Sequence, residues 1–229
     1  MGGNVDMYST KLFTLPTEDD GSKYTAVFFP HLIYKDGNRN IIVPPAADIS
    51  NVFMRKYQGG DPYMICAGQN GIISNPNVVG VEYDADQYVR DAIEPFGINS
   101  IISENGVIQI YGNQTAFQNY KSDYNKLHVR ENLNVLESTC DIILKSFNWK
   151  YNNPQTRAEV QQALVPIFEA MKTSRAIEWY SITCNETNNT EDIVAQDLLI
   201  VDSEVIMNHG SEKILHKITL KKFSDMPVE

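Results

Sequence analysis

The side chains that most often do chemistry are thinly spread along this chain of 229 residues. No histidine belongs to an H-E-x-x-H or similar metal-binding pattern; the four are His31, His128, His209 and His216. The glycines lie outside the strand, glycine and helix setting of a phosphate-binding loop, and no G-x-S-x-G nucleophile turn occurs. We therefore predict roles for the histidines at the surface or at the edge of the core.

Carboxylate pairs are the remaining candidates for catalysis, since two close carboxylates can hold a divalent cation or act as acid and base. They occur at Asp19–Asp20, at Asp84 with Asp86, and at Glu191–Asp192. Such residues are more commonly found in loops and at helix N-termini, where they interact favourably with the helix dipole. We predict no catalytic residue, no metal site and no cofactor, and we expect that the chain is not an enzyme.

The cysteines Cys66, Cys140 and Cys184 are an odd number, widely separated and flanked by apolar residues. This pattern suggests neither a disulfide framework nor a C-x-x-C metal site. Cys140 lies on the apolar stripe of a predicted helix, where burial disfavours the thiolate. We predict that all three cysteines are reduced core residues.

Charge and hydropathy narrow the possible partners. The formal net charge is -10 at pH 7, and the lysines and arginines never cluster as phosphate binding requires, so we expect no nucleic-acid partner. No run approaches the roughly 20 apolar residues that cross a bilayer, and residues 1–10 lack the basic and apolar blocks of a secretory signal. We expect no direct insertion into a membrane.

Two long amphipathic helices in the C-terminal half give the strongest periodic signal. Apolar residues recur at helical spacing from Val129 to Phe147, which predicts a helix of about five turns. A second helix is predicted to start at the capping-box pattern Thr156–Glu159 and to continue to Met171. Pro166 interrupts this helix and predicts a kink or two abutting segments.

Shorter elements surround these helices. Strands are predicted at 25–29, 41–43, 107–111, 177–184, 198–207 and 213–220, and further helices at 49–57 and 84–93. The stretch 60–81 is rich in glycine, asparagine and proline, which predicts a long irregular connection. The fold class is therefore mixed α/β (α+β): a mixed sheet packed against two long amphipathic helices.

Several of these segments, in this order, resemble the C-terminal conserved region of phage tail sheath proteins. The matching segments are YTAVFFP (24–30), IIVPPAADISNVF (41–53), DAIEPFGINSI (91–101), GVIQIYGNQTA (106–116), LNVLESTCDIILKSFNWKYNNP (133–154), the predicted helix that continues to Met171, YSITCNETNNTEDI (180–193) and DLLIVDSEV (197–205). The resemblance extends over residues 24–220. It is specific because a chance likeness would rarely persist through so many consecutive elements.

The resemblance implies a structural subunit of a contractile tail sheath, which polymerises around a tail tube and contracts to drive it through a cell envelope. The implied partners are other copies in a helical sheath, the tail tube protein, and baseplate and tail terminator proteins. The implied location is the virion tail, assembled in the cytoplasm of a host bacterium. A type VI secretion sheath component is an alternative, and a small acidic metal-dependent hydrolase is an alternative of a different class.

The family also implies terminal arms that add strands to the sheets of neighbouring subunits. The segment Lys213–Leu220 alternates as such a strand would. Ile214, His216, Ile218 and Leu220 face one way, and Leu215, Lys217, Thr219 and Lys221 face the other. We predict an inter-subunit strand here, with an internal strand as the alternative. A possible N-terminal arm carries Tyr8, Thr10, Leu12 and Thr14 on one face.

Three regions are expected from this comparison. They are an N-terminal lead or arm at 1–23, a sheath-type core at 24–220 and a polar tail at 221–229, with the core divided into a first half (24–116) and a C-terminal subdomain (117–220). Sheath proteins of this family are usually longer, with an arm and an outer domain ahead of the matched region. The chain is thus expected to be either a fragment of a larger subunit or a compact sheath in which Tyr8–Leu15 supplies the arm.

Overall fold

A computed structural model describes residues 22–59, 61–117 and 122–212. The predicted N-terminal arm at 8–15, the predicted inter-subunit strand at 213–220 and the polar tail lie outside these described residues. Within them the chain forms eight β-strands and five α-helices. The predicted α+β class is confirmed.

Strands and helices are interspersed along the described residues. The strands are β1 Val27–Phe29, β2 Leu32–Asp36, β3 Arg39–Val43, β4 Val78–Val81, β5 Ile98–Glu104, β6 Val107–Tyr111, β7 Ile177–Thr183 and β8 Asp202–Met207. The helices are α1 Ala46–Gln58, α2 Gln87–Ile93, α3 Leu127–Lys145, α4 Pro154–Thr173 and α5 Glu191–Ala195. Short 3-10 turns occur at Ser22–Tyr24, Gly68–Gly71, Glu94–Phe96 and Asp123–Asn125.

Two three-stranded sheets share a core in the first half of the chain. One sheet is mixed, with β1 parallel and β6 antiparallel to the central strand β5. The other is antiparallel in the order β3-β2-β4. Leu32 of the antiparallel sheet, Ile101 and Ile110 of the mixed sheet and Val52 of α1 lie in one buried cluster. Burial of these apolar side chains therefore joins both sheets and α1.

A second core lies between the two long helices and the β7–β8 sheet. Its buried residues are Val129 and Leu136 of α3, Val160, Leu164, Phe168 and Met171 of α4, Ala176, Ile177, Cys184 and Met207. The helical spacing of the first six is what the sequence predicted for two amphipathic helices. Among the described residues, the sheet that covers these helices is two-stranded and antiparallel, whereas the mixed sheet belongs to the other core.

Helix α4 differs from its prediction at its start and in its middle. The N-cap is Asn153, whose side chain accepts a hydrogen bond from the Thr156 amide at 2.8 Å, so the helix begins at Pro154 and not at the predicted capping box. Proline suits the first helical position because the N–H it lacks would have no helical partner there. The helix is also continuous through Pro166, so the expected division into two segments is wrong. Leu164 and Phe168 are fully buried on either side, and their packing holds the helix together.

The regular structure differs from the prediction in two stretches, one with more of it and one with less. The stretch 60–81, predicted to be irregular, contains the 3-10 turn Gly68–Gly71 and ends in β4, which pairs with β2. Conversely, residues 198–201 were predicted to belong to a strand, but β8 begins only at Asp202. The backbone of Ile200 bonds instead to the side chain of Asn189, which takes the place of a strand partner.

Candidate assembly surface

The β7–β8 sheet is the candidate surface for assembly because, within the described ranges, each of its strands has a strand partner on one side only. Its register pairs Tyr180 with Val205 and Thr183 with Asp202. An edge strand presents unpaired N–H and C=O groups to any strand that approaches. The sheet therefore has two edges where another strand can be added.

The two edges are not equivalent. On β7, the Ile182 carbonyl accepts a hydrogen bond from the Gln161 side chain at 3.1 Å, and the Thr183 carbonyl accepts one from Asn188 at 2.8 Å. Side chains of α4 and of the following loop thus already occupy part of the β7 backbone. Among the described residues, the β8 backbone bonds to β7 alone, so β8 is the more open edge.

The inner face of the sheet is anchored on the long helices. Tyr180, Ile182 and Val205 pack against the second core. The Tyr180 ring stacks on Phe168 with a centroid distance of 5.2 Å, and its hydroxyl donates a hydrogen bond to the Glu169 carboxylate. This bond raises the pKa of Tyr180. The aromatic contact fixes β7 on α4, so the sheet is held in place before any further strand arrives.

The outer face has an apolar end and an acidic end. Trp179 and Ile206 are directly opposite each other and remain 43% and 55% exposed. Side chains alternate along a strand, so this face continues with two further pairs, Ser181 with Glu204 and Thr183 with Asp202. The acidic end has no basic residue opposite it on β7. An incoming strand with lysines on this face would match it in charge.

An asparagine network in the loop between the strands preforms the sheet. Asn189 is 3% exposed, and its side chain accepts from the Ile200 amide at 2.8 Å and donates to the Ile200 carbonyl at 2.9 Å. Asn188 donates to Asp202 at 2.9 Å as well as to Thr183. These bonds tie the end of β7 to the approach to β8. The signal of such a network in the sequence is the cluster of asparagines, because their side chains readily bond to nearby backbone groups.

A second exposed feature lies at the turn between α3 and α4. Trp149, with φ of 69°, and Tyr151 are almost fully exposed. The neighbouring Asn152 holds the turn by donating to the Leu198 carbonyl at 2.7 Å and accepting from Arg157 at 2.7 Å. Sequence reasoning did not single out these two aromatic residues, although rigid exposed aromatics are typical anchors in protein interfaces.

Three of the carboxylates considered for catalysis serve helix starts. Asp86 caps α2 by accepting from the Val89 amide at 2.9 Å, and Glu191 and Asp192 lie in the first turn of α5. Asp19 and Asp20 lie outside the described residues. In the part of the chain that the structure describes, no three His, Cys, Asp or Glu residues are grouped as metal ligands.

The histidines are likewise dispersed. His31 contacts Glu82 at 3.2 Å at the surface, and His209 contacts Asp123 at 3.6 Å. The prediction of a surface or core-edge position is wrong for His128, which is buried at the start of α3. Both ring nitrogens have hydrogen-bond partners there, so the polar ring can be buried without loss of hydrogen bonds. His216 lies outside the described residues.

The three cysteines are free thiols. Cys66 and Cys184 are buried and Cys140 is half-buried. Burial raises the pKa of the Cys66 thiol to about 11 and also raises the pKa of Cys140 and of Cys184. A thiol that stays protonated at neutral pH is a poor nucleophile, which fits core residues.

None of the described helices combines the length and the apolar character needed to span a bilayer.

Comparison with known proteins gives relatives of one kind. The chain matches no protein-family model. It is 29% identical over 163 residues to the tail sheath protein of Enterobacteria phage T4, which is 70% of this chain and 24% of that protein. It is 28% identical over 162 residues to the tail sheath protein of Vibrio phage KVP40, again 70% of this chain and 24% of the relative. The chain therefore spans about a quarter of the length of these relatives.

Solved structures extend the likeness to the fold. The contracted PVC sheath complex of an extracellular contractile injection system matches with a TM-score of 0.80 at 15% identity, over 96% of this chain and 61% of that one. The contracted helical sheath of the anti-feeding prophage matches with a TM-score of 0.76 at 19% identity, over 90% and 59%. The resemblance found in the sequence is thus confirmed: this chain is similar in sequence to phage tail sheath proteins and has the fold of sheath proteins from contractile injection systems.

Proposed function

We propose that this chain is a structural part of a contractile tail sheath, which polymerises around a tail tube and contracts to drive the tube through a cell envelope. The observation that carries the proposal is the similarity to curated tail sheath proteins over 70% of the chain, together with the fold of contracted sheaths. The proposed partners are other copies in a helical sheath, the tail tube protein, and baseplate and terminator proteins. The proposed location is a virion tail assembled in a host bacterium.

The proposed junction between copies is an exchanged strand. Residues 213–220 of one copy would pair with the β8 edge of another, which is the more open of the two edges. The apolar face with Ile214 and Ile218 would then extend the inner face of the sheet. The opposite face would place Lys217 and Lys221 beside the acidic outer end of β8. Tyr8, Thr10, Leu12 and Thr14 are the proposed strand of a second, N-terminal arm.

An exchanged strand would contribute substantially to the free energy of association between copies. A strand of this length forms about 4 to 8 intermolecular backbone hydrogen bonds, each contributing about 0.5 to 1.5 kcal/mol net. One junction therefore contributes several kcal/mol, and many junctions along a polymer act together. This would keep neighbouring copies joined while their folded bodies change position during contraction.

The energy for contraction would come from assembly. An extended lattice held in a metastable arrangement can fall to a tighter one when a trigger lowers the barrier. Work of this kind needs no nucleotide on the sheath subunit. The relatives of this chain are structural sheath proteins, which supports a role without catalysis.

Electron microscopy of negatively stained material tests the proposal. We expect the chain, or the longer subunit that contains it, to form rings or tubes, and we expect deletion of residues 213–229 to abolish them. Persistent monomers of the complete subunit at high concentration would contradict the proposal. Tightly bound metal found by mass spectrometry would favour the hydrolase alternative.

Charge reversal tests the proposed junction itself. Lys217→Glu with Lys221→Glu should shift assembly to higher protein concentration, because like charges would then meet on the outer face. Reversal of a partner charge by Glu204→Lys should restore assembly of that variant, with Asp202 left unchanged because it accepts a hydrogen bond from Asn188. The matched control is Glu191→Lys on α5, which should not restore it. Failure of the Glu204 reversal to restore assembly would place the lysines elsewhere.

A type VI secretion sheath is a second candidate with the same mechanical role. The observation that favours this candidate is that one matching solved structure is the contracted sheath of an extracellular contractile injection system. A contracted type VI sheath is recycled by a partner ATPase. Binding of the contracted polymer to such an ATPase would favour this candidate, and its absence would favour a phage tail.

A further inference from the structure

The turn between α3 and α4 presents two aromatic side chains to solvent. Trp149 is fully exposed and Tyr151 is 89% exposed. Phe147, two residues earlier, packs against the second core, so the turn is attached to the folded body at its start. Large aromatic side chains bury much apolar surface when a partner binds, and rigid exposed ones are therefore frequent anchors of protein interfaces.

Hydrogen bonds hold the backbone of this turn in one conformation. The Lys150 amide donates to the Phe147 carbonyl at 3.2 Å. The Asn153 amide donates to the Tyr151 carbonyl at 3.1 Å. Trp149 has φ of 69°, a left-handed conformation that is unfavourable for a bulky residue. Such a conformation persists only where the surrounding contacts fix it, and it is enriched at functional sites. The positions of both aromatic residues are thus fixed before any partner binds.

Basic residues accompany these rings in a chain that is acidic overall. Residues 142–158 contain three basic residues and no aspartate or glutamate, whereas the whole chain has a formal net charge of -10. Lys145 and Lys150 are exposed and flank Trp149 in the sequence. Lys150 also lies 3.6 Å from Glu159, in an exposed pair that water screens. Exposed aromatic rings beside ammonium groups favour a partner surface that is both acidic and aromatic.

A surface of this complementary kind lies at the start of α2. Three exposed carboxylates occur within five residues, at Glu82, Asp84 and Asp86. Two tyrosines accompany them, with Tyr88 81% and Tyr83 38% exposed. Helix α2 contributes to a buried cluster that is separate from the second core, on which the α3–α4 turn packs. The acidic surface and the basic turn therefore belong to different parts of the chain.

We propose that the α3–α4 turn of one copy docks on the start of α2 of another copy. Trp149 and Tyr151 lie against Tyr88 in this contact, and Lys145 lies near Asp84. The two surfaces are unlike, so each copy uses its turn on one neighbour and its α2 on the next. Such a heterologous contact builds rings or helical polymers. The contact rests on the proposed function, as a second junction between copies, but it uses no residue of the proposed exchanged strand.

The two junctions differ in how they are held. Backbone hydrogen bonds hold an exchanged strand. Exposed side chains and opposite charges hold the docked turn, and salt weakens such charge interactions, since the screening length falls to about 4 Å at about 0.5 M salt. The docked turn can therefore separate and bind again while an exchanged strand keeps the copies joined.

Cross-linking between two variants of the full chain tests the contact. One variant carries Tyr151→Cys and the other Tyr88→Cys, and the mixture is treated with a short bis-maleimide. We expect a mixed cross-linked dimer at low salt and at least about 5-fold less of it at about 0.5 M salt. Val165→Cys in place of Tyr151→Cys is the control and should give only the background of the single variants. A mixture that cross-links no better than either variant alone would overturn the inference.

The result is separable from the test of the proposed function. Tubes that require residues 213–229, without the cross-link between positions 88 and 151, would leave the sheath role standing and remove this contact. The cross-link without tubes would support the contact and count against the sheath role.

Replacing Trp149 separates binding from folding. Trp149→Gly removes the ring and also relieves the backbone, because glycine adopts a positive φ freely. The urea midpoint should stay unchanged or rise, whereas the concentration at which the chain self-associates in sedimentation velocity should rise at least about 10-fold. Met54→Ala removes an exposed apolar side chain of α1 and should change neither quantity. Unchanged self-association of Trp149→Gly would overturn the inference.

A charge exchange tests the partner surface. Lys145→Glu should weaken self-association, because it brings a carboxylate towards Asp84. Asp84→Lys should restore the self-association of that variant. Glu104→Lys, at the exposed end of β5, is the control and should not restore it. Equal effects of Asp84→Lys and Glu104→Lys would overturn the assignment of α2 as the docking surface.

Discussion

At the scale of single residues, Lys56 and Glu131 form an ion pair that is largely shielded from solvent. The Lys56 side chain is fully buried and its ammonium lies 2.6 Å from the Glu131 carboxylate. Lys56 belongs to α1 in the first core and Glu131 to α3 in the second. The pair therefore joins the two cores through a desolvated contact, in which each charge depends on the other.

Removing one member of this pair should be costly. We expect Lys56→Met to lower the free energy of unfolding by about 3 to 5 kcal/mol, because Glu131 is left with an unpaired charge in a largely buried place. Urea unfolding followed by circular dichroism measures this. Lys56→Met with Glu131→Leu should recover part of the loss, since neither charge is then buried.

An exposed ion pair provides the matched control. Lys150 and Glu159 are 3.6 Å apart and both are nearly half exposed. Lys150→Met should change the free energy of unfolding by less than about 1 kcal/mol, because solvent screens the pair. Similar losses for Lys56→Met and Lys150→Met would contradict the role assigned to the buried pair.

Residue patterns also show the reach of sequence reasoning. The apolar stripes of α3 and α4 were predictable because each buried position recurs at helical spacing. The partners of Lys56 and His128 were not, because Glu131 lies 75 residues from Lys56 and Asn208 lies 80 residues from His128 in the chain. Nothing local in the sequence marks such contacts.

At the scale of elements, α4 shows how packing overrides a local signal. Pro166 removes a backbone donor inside the helix, and the sequence alone predicted a kink or two abutting segments there. The structure keeps one helix because buried residues flank the proline, whereas Pro166 itself is exposed. The cap at Asn153 was not predicted for a different reason. Two overlapping capping patterns occur within a few residues, and the sequence alone does not show which of them starts the helix.

Replacing this proline should stabilise the protein. Pro166→Ala restores an N–H that can bond to the Gln162 carbonyl, and we expect the free energy of unfolding to rise by about 1 to 3 kcal/mol. Thermal or urea unfolding measures the change. The neighbouring exposed position offers a control, and Val165→Ala should have a small effect. A loss of stability in Pro166→Ala would mean that the helix is built around the proline.

The N-cap of the same helix makes a separate prediction. Asn153→Ala removes the acceptor for the Thr156 amide and should cost about 1 kcal/mol of stability. Asn153→Asp keeps an acceptor and should cost little. An equal loss in both variants would show that the side chain acts in another way.

At the scale of the whole molecule, the described chain has two large cores bridged by the Lys56–Glu131 pair, a smaller buried cluster around α2, and a two-stranded β7–β8 sheet whose more open edge is β8. The order of the strands was not predictable from sequence. Strand β1 pairs with β5, although the whole antiparallel sheet, α1 and α2 lie between these two strands in the sequence. The division into 24–116 and 117–220 remains a prediction. The sheath resemblance came from the order of many short segments, a signal that no single motif carries.

The central claim is that the β8 edge of one copy receives residues 213–220 of another. A cryo-electron microscopy reconstruction of the assembled tubes measures this directly. The account predicts a strand from a neighbouring copy hydrogen-bonded along β8, with its lysines on the face that carries Glu204 and Asp202. A reconstruction in which residues 213–220 complete the β7–β8 sheet of their own copy, with no strand arriving from a neighbour, would contradict it.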